Sequence, residues 1–335
     1  MSTLKTNLVK NDGSAVDLPN GAFSIGGNSI LQGYTESATE PTSPATGDFW
    51  WDTANKVLYQ YLNGEFKAVS LIQPWTFDVS SISYDSVSFS ISSEESNITG
   101  FSFNSDGTKL YLLGTNNDRV YQYTLSTGFD ISTASYDNVS FSFASQENNA
   151  HDIYFSSDGT KIYVLGTQNP VVYEYNLSTG FDISTASYSN NSFSFSSQET
   201  GPLGMCFTAD GSKMYVVGYI NDTVYQYSLS TNFDVSTASY DSVSLSLSSQ
   251  ASEPHGLVFD ELGTKMYVID NGTDSVYQYN LTTGYDLSTA SYASLSFSAG
   301  SQDGVTTGLQ ISSDGTKMYI CGDSSNNIYQ YSTGL

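Results

Sequence analysis

Phe101-Ser-Phe-Asn-Ser-Asp-Gly-Thr-Lys-Leu-Tyr-Leu-Leu-Gly114 holds two short β patterns joined by a turn. Phe101 and Phe103 alternate with polar residues, Ser105 to Lys109 turn the chain, and Leu110 to Leu113 form a continuous apolar run. Val120-Tyr-Gln-Tyr123 and Val139-Ser-Phe-Ser-Phe143 then add two further alternating segments. Period-two alternation built from aromatic and β-branched residues favours strand over helix. We label these strands a, b, c and d in chain order. The a–b and b–c turns are rich in Gly, Asp and Asn, the residues that hairpins need.

The same unit recurs every 52 residues, five times, with no insertion or deletion. Its Tyr-X-Tyr begins at Tyr121, Tyr173, Tyr225, Tyr277 and Tyr329, and its turn lysine is Lys109, Lys161, Lys213, Lys265 and Lys317. A fixed period of that length denotes a repeat architecture. Strand b is the most continuous apolar run, which suits a strand covered on both faces. Strand d places Ser between its apolar positions, as in Val243-Ser-Leu-Ser-Leu247, which suits an outer edge. Four antiparallel strands per repeat, ordered from inside to outside, describe a β-propeller blade whose faces are buried on its neighbours. The first d strand (Val87 to Ile91) has no a, b and c before it, and the last a, b and c (Leu309 to Tyr331) have no d after them. The sequence therefore predicts an all-β, five-bladed propeller over residues 76–335, with the N-terminal d strand closing the ring. An open solenoid is the alternative, and it would leave both end sheets exposed.

Acidic residues outnumber basic ones by 34 to 10. Nucleic acid and anionic membranes are thereby disfavoured as partners, because neutralising phosphate takes clustered Lys and Arg. The opening Met1-Ser-Thr-Leu-Lys5 lacks the apolar core of a secretory signal, and no apolar run reaches membrane-spanning length. Synthesis in a cytoplasm, without membrane insertion, is the expectation. Cys206 and Cys321 occupy different columns of different repeats within strand patterns, so free, buried thiols are expected.

Comparing the five copies separates constant from variable columns. The a–b turn and the c–d link are nearly constant, whereas the d–a loop and the b–c turn differ in every copy. Alternating strand direction puts the two constant connections on one face of the disc and the two variable ones on the other. Loops on a rigid scaffold commonly carry binding, and unconstrained drift is the alternative. The binding candidates on the variable face are Asn116, Asn117, Asp118, Glu147, His151, Asp152, Tyr219, Asn221, Asp222, His255, Asn271 and Asp274. Five of the six basic residues after position 75 are the turn lysines of the regular face, leaving Arg119 on the variable face. That face suits a neutral polar ligand such as a sugar, or a cation, better than phosphate.

His151 and His255 share a column at the start of strand a, with Asp152 beside the first. Imidazole and carboxylate can bind metal, but the other copies carry Thr99, Leu203 and Thr307 there, and no catalytic Ser/His/Asp or Cys/His set can be assembled. No enzyme activity, cofactor or metal is expected. A propeller lactonase or hydrolase, which would need carboxylates and His converging on the axis, is a remote alternative.

Residues 1–75 are of another kind and hold all three tryptophans, Trp50, Trp51 and Trp75. From Glu40 the chain reads as a small β meander: Phe49-Trp-Trp51, a turn at Asp52 to Asn55, a strand from Val57 to Leu62, and a turn at Asn63-Gly64. So small a unit buries little apolar surface alone and is expected to associate. Trp50, Trp51, Tyr59, Tyr61 and Phe66 are the anchoring candidates.

This segment resembles a module of tailed-bacteriophage fibre and appendage proteins: a Pro-rich stretch, Gly-Asp-aromatic-Trp-X-Asp-Thr, a short strand, and an Asn-Gly turn before an aromatic. Gly47, Asp48, Trp50 or Trp51, Asp52, Thr53, Asn63, Gly64 and Phe66 fit it. The family often has a Trp where this chain has Phe66-Lys-Ala68. The Ser-Thr-Ala-Ser-Tyr repeat is similar to propeller repeats of phage structural proteins. The resemblance implies a virion structural protein, a homotrimeric tail or head fibre. Residues 1–75 would bind other virion proteins, and the variable face would bind a host-surface glycan or protein during adsorption. A capsid decoration or spacer protein without receptor binding is the alternative.

Overall fold

In a computed structural model, residues 74–335 are described in full, together with residues 39, 42 and 43 and the backbone of six strands that precede residue 74. The chain divides into two compact units, Met1–Pro74 and Trp75–Leu335.

In the first unit, Ser24–Ile25 pairs with Asn28–Ser29. A four-stranded sheet follows, in which Tyr34–Ser37 runs parallel to Phe49–Asp52, and Val57–Leu62 and Glu65–Val69 continue as an antiparallel meander. Val57–Leu62 falls where the sequence pattern placed it, whereas Asp52, read as the start of a turn, ends the strand before it, and Glu65–Val69 is a strand to which the pattern gave no bounds. Their register sets Trp50 opposite Tyr59 and Tyr61 opposite Phe66. The side chains of these anchoring candidates lie outside the described residues, as do the turns at Gly47-Asp48 and Asn63-Gly64.

The second unit is five antiparallel four-stranded sheets forming a five-bladed β-propeller. Strands a are Ile98–Phe103, Ala150–Phe155, Pro202–Phe207, Pro254–Phe259 and Thr306–Ile311. Strands b are Lys109–Gly114, Lys161–Gly166, Lys213–Gly218, Lys265–Asp270 and Lys317–Gly322. Strands c are Arg119–Leu125, Val171–Leu177, Thr223–Leu229, Ser275–Leu281 and Asn327–Ser332. The d strands of blades 1 to 4 are Ala134–Ser142, Ala186–Ser194, Ala238–Ser246 and Ala290–Ser298. Blade 5 takes its outer strand from the N-terminal side, Ser83–Ser90, which pairs with Asn327–Ser332 in the register Ile328 to Phe89 and Gln330 to Val87. Each inner strand a packs on the a strands of both neighbouring blades, so the ring is closed. Strand b is buried along its length in every blade, and strand d alternates between partly buried and exposed, as the patterns required.

The constant residues of the regular face form a repeated inter-blade joint. The strand-b tyrosine hydroxyl donates to the backbone carbonyl of the aromatic residue in the next blade's c–d link. Tyr111 reaches Phe181 at 2.5 Å, Tyr163 reaches Phe233 at 2.6 Å and Tyr215 reaches Tyr285 at 2.5 Å. The joint continues across the seam: Tyr267 donates to Phe77 at 2.7 Å, and Tyr319 donates to Phe129. The strand-c Gln or Glu accepts a buried backbone N–H from the same next-blade link, as in Gln122 from Ile183 at 3.2 Å and, across the seam, Gln330 from Ile131 at 3.2 Å. Phe129, Phe181, Phe233 and Tyr285 hold φ near +60°. A bulky side chain there costs about 1–2 kcal/mol, which the inter-blade bond to its carbonyl offsets. The ring of each covers its own blade's a–b turn glycine. Gly107 needs its φ of +70° for the turn, and a Cβ on it would sit 2.4 Å from the Phe129 ring.

The turn lysines are neutralised in place, each by one carboxylate: Lys109 by Asp137 (2.7 Å), Lys161 by Glu174 (2.9 Å), Lys213 by Asp241 (3.3 Å), Lys265 by Asp78 (2.7 Å) and Lys317 by Asp85 (2.6 Å). Blade 2 has Ser189 where blades 1 and 3 have Asp137 and Asp241, and compensates with Glu174 in the strand-c column that is Gln in the other four copies.

Trp75 belongs to the propeller unit. In blade 5 the aromatic of the link, Phe77, stacks on Tyr267 at 4.8 Å instead of covering the turn, and the Trp75 ring covers Gly315, 2.4 Å from where a Cβ would be. Trp75 also stacks on Phe77 at 6.1 Å and donates its backbone N–H to Glu261 at 3.2 Å. The unit boundary thus falls one residue before the position read from the repeat phase, because a residue outside the repeat packs on the blade 5 turn.

Candidate functional site

The variable face is built on a hidden constant. In every blade one buried carboxylate accepts the N–H of the same d–a loop column. Glu95 takes Asn97 N–H at 3.1 Å, Glu147 takes Asn149 at 2.9 Å and Glu199 takes Gly201 at 2.8 Å. Asp270 takes Glu253 at 2.7 Å, and Asp303 takes Val305 at 2.9 Å. These carboxylate residues are at most 4% exposed. In four blades the carboxylate comes from the d–a loop and lies over a glycine that ends strand b, namely Gly114, Gly166, Gly218 or Gly322. In blade 4 the two columns exchange: the loop residue is Ala251, and the acid, Asp270, stands where the glycine would be.

The carbonyl of the same loop residue then accepts the N–H that opens the b–c turn, as in Tyr219 to Gly201 at 3.2 Å and Asn271 to Glu253 at 2.9 Å. Further bonds reach the turn itself: Glu147 accepts Asn169 N–H at 3.4 Å, Asn221 donates to Glu199 at 3.4 Å, and Asp303 accepts Ser325 N–H at 3.1 Å. Each d–a loop is thereby tied to its b–c turn. A buried carboxylate meeting backbone donors is a strong, charge-assisted contact, so the loops vary in side chain on a fixed frame.

On this frame the candidates separate. Asn116, Asn117, Tyr219 and Asn221 are exposed. Asp118, Asp222, Asn271 and Asp274 are half-buried in the b–c turns. Asp118, Asp222 and Asp274 have φ near +50°, and their carbonyls accept the N–H that ends strand d. Glu147 is 2% exposed and engaged in the loop frame, so it is not presented to a partner. Burial raises the carboxyls of Asp222 and Asp274 above the ordinary range, with neighbouring acids adding to the effect.

The strongest surface signal was absent from the candidate set as a pair. Tyr219 and Ile220, adjacent in the b–c turn of blade 3, are 44% and 52% exposed. Apart from the terminal Leu335 they are the exposed large hydrophobics among the described residues. Gly201 beneath them makes room, since a Cβ there would meet Tyr219 at 2.4 Å and Ile220 at 2.8 Å. The other copies hold Asn116, Gln168, Gly272 and Ser324 in the Ile220 column, a contrast visible in the repeat alignment.

His151, Asp152 and His255 stand near the axis at the start of strand a. Four blades have glycine in the Asp152 column, which lets the inner strands approach: a Cβ on Gly204 would lie 2.3 Å from the His255 carbonyl. Asp152 fills the fifth place and accepts the N–H groups of Ile153 and Met205, both at 2.8 Å. Burial pushes its carboxyl up to about 7 despite those two bonds. Burial also lowers His151 and His255 to about 4, with the charge of His151 adding to the effect on His255. Among the described residues no three His, Cys, Asp or Glu side chains are placed to hold a metal ion. Cys206 and Cys321 are free and buried; burial raises the first thiol well above its ordinary value and the second to about 12, so neither is a ready nucleophile.

No protein family model matches the sequence, and no curated protein matches it. Solved structures of similar fold include a functionally unknown protein from Desulfotomaculum acetoxidans DSM 771, with 14% identity, a TM-score of 0.45, and 81% of this chain and 74% of that one covered. A candidate 6-phosphogluconolactonase from Bacteroides uniformis ATCC 8492 has 12% identity and a TM-score of 0.44, over 79% and 70% of the two chains. A second, from Bacteroides fragilis NCTC 9343, has 13% identity and a TM-score of 0.43, over 72% and 64%. At these values the similarity assigns no activity.

Proposed function

We propose that this chain is a non-enzymatic virion appendage protein of the tailed-phage type. Residues 1–75 attach it to other virion proteins, and the variable propeller face binds a host-surface receptor, a glycan or a protein. The observation that carries the binding face is the division of labour between the two sides of the disc. On the regular side the constant residues are engaged in joints between blades. On the other side buried carboxylates fix the loop backbones while the exposed side chains differ from blade to blade. Ligands bind more tightly to loops that need no ordering on contact. Asn116, Asn117 and Asn221 offer hydrogen bonds there, and Tyr219 with Ile220 offers an apolar contact. The attachment role rests on the Gly-Asp-aromatic-Trp-X-Asp-Thr pattern of residues 47–53 and on the small sheet that contains Phe49–Asp52.

Immunogold microscopy of intact particles with an antibody to the propeller tests the appendage role. Gold at fibre tips is the expected result. Purified particles that lack the protein would refute it, and uniform gold over the capsid shell would favour the decoration role.

A further inference from the structure

A cavity of about 180 Å³ opens beside the axis on the regular face, between blades 5, 1 and 2. Its position goes beyond the receptor-binding reading, which concerns the opposite face. Its walls come from the end of strand a, where two columns vary among the blades. Strand a ends in Phe103, Phe155, Phe207 and Phe259 but in Ile311 in blade 5. One place earlier the copies carry Ser102, Tyr154, Cys206, Val258 and Gln310. The Tyr154 ring leans toward blade 3, 5.1 Å from Phe207, with its hydroxyl donating to the Phe207 carbonyl at 3.4 Å. Ser102 is the smallest side chain of its column, and space remains beside it; the place that a Phe would take at position 311 is filled by Phe77, which stacks on Tyr267 at 4.8 Å as the strand-a Phe of the other blades stacks on the preceding blade's tyrosine.

The walls combine aromatic carbon with uncharged polar groups. Phe103 and Phe155 supply the carbon, the exposed Ser105, Ser157 and Ser313 supply hydroxyls, and Gln310 supplies an amide. Among the described residues the Gln310 amide has no hydrogen-bond partner, although it is half-buried. No Lys, Arg, Asp or Glu lines the space. The a–b turns at its mouth carry Asp106, Asp158 and Asp314, each bonded within its own turn by Thr108, Thr160 or Thr316. The nearby turn lysines are already paired with carboxylates. An anion would meet repulsion at the mouth and no cation inside. The volume is below the ~300–1,000 Å³ of drug-sized sites and equals roughly six waters, so one ring fits and an oligosaccharide does not.

We propose that this cavity binds a single neutral sugar ring, its C–H face on Phe103 or Phe155 and its hydroxyls on Gln310 and the serines. Affinity for one ring of about a dozen heavy atoms is on the order of millimolar. The end of a glycan and a free monosaccharide share this chemistry. A preference for methyl glycosides over reducing sugars would point to the former, and equal binding to the latter.

The test is saturation-transfer NMR on the full-length chain with the methyl glycosides of glucose, galactose, mannose and N-acetylglucosamine, beside glucose 6-phosphate. Ser102→Tyr fills the cavity and Gln310→Val removes its free amide, each with a residue that another blade holds in the same column, and unfolding midpoints show whether each variant is folded. Saturable transfer from a neutral glycoside is expected, at least tenfold weaker in either variant, unchanged in Tyr219→Ser, and at least tenfold weaker for glucose 6-phosphate. No saturable transfer from any neutral glycoside, transfer that survives both variants, or equal binding of the phosphate would overturn the proposal. Transfer lost in Tyr219→Ser but kept in both cavity variants would place the sugar on the opposite face and overturn it as well.

Discussion

Moving the buried carboxylate of blade 3 to its blade 4 position tests whether these acids hold the variable face together. Glu199 is fully buried and accepts the Gly201 N–H at 2.8 Å. Glu199→Ala leaves that donor without a partner, at about 1–3 kcal/mol, and removes a methylene from contact with Gly218, at about 1 kcal/mol. A loss of about 3 kcal/mol is expected. Gly218→Asp alone forces a Cβ to within 2.4 Å of Glu199 Cγ and Cδ and sets two carboxylates in one space, an overpacking cost of about 1–3 kcal/mol before any charge repulsion. The double variant recreates the Ala251 and Asp270 pair of blade 4. It should lie within about 1–2 kcal/mol of wild type, the residue reflecting the Gly201 carbonyl 2.6 Å from the new Cβ. Urea unfolding of the full chain, followed by tyrosine fluorescence, gives the four corners of the cycle. A coupling of at least about 2 kcal/mol is predicted. Losses that simply add in the double variant would refute the view that the two columns share one carboxylate.

Asp152→Asn should change the pH profile of stability. A folded carboxyl at about 7, against an ordinary 3.8, favours the protonated form, so wild-type stability falls as pH rises from 3.8 through 7. The variant should match wild type near pH 3 and exceed it at pH 8 by on the order of 2–4 kcal/mol; parallel profiles would contradict this. His151 and His255, lowered to about 4, act in the opposite sense, and stability they contribute is lost as pH falls from 6.5 through 4. Replacing both with Thr, the residue of two other copies, should flatten the acid limb measured by thermal unfolding. At the seam, Tyr267→Phe should cost about 1 kcal/mol in urea, and more if the Phe77 carbonyl is left buried without a donor. A chain starting at residue 74 should fold as a propeller, whereas one starting at residue 92 lacks the blade 5 outer strand, exposes the edge of Asn327–Ser332 and should aggregate; light scattering separates the two.

The architecture was legible because it depends on period. The spacing of Tyr121 to Tyr329 gives the blades, and the unmatched strands at the two ends give the mode of closure, without knowledge of any contact. The two faces followed from strand direction. What was missed depends on pairs of columns rather than single ones. Glu147 reads as a loop acid until it is set beside Gly166, and only the joint change to Ala251 and Asp270 marks the column as structural. The same holds for Ser189 and Glu174. Tyr219 stood out in its own column, but its exposure depends on Gly201 from a different loop. The cavity is unfilled volume beside Ser102, and no reading of a single column measures volume. Trp75 lies outside the repeat, so no periodic argument could place it over Gly315.

Binding of fluorescently labelled full-length chain to candidate host bacteria, with and without enzymatic removal of surface glycans, tests the receptor-binding face most directly when wild type is set beside Tyr219→Ser/Ile220→Ser. Both side chains are largely exposed, so the unfolding midpoint of the double variant should not move. The account predicts saturable binding by wild type and at least a tenfold loss in the variant; loss on stripping would identify the receptor as a glycan, and persistence would identify a protein. Folded wild-type chain that binds no cells, or a variant that binds as well as wild type, would contradict it.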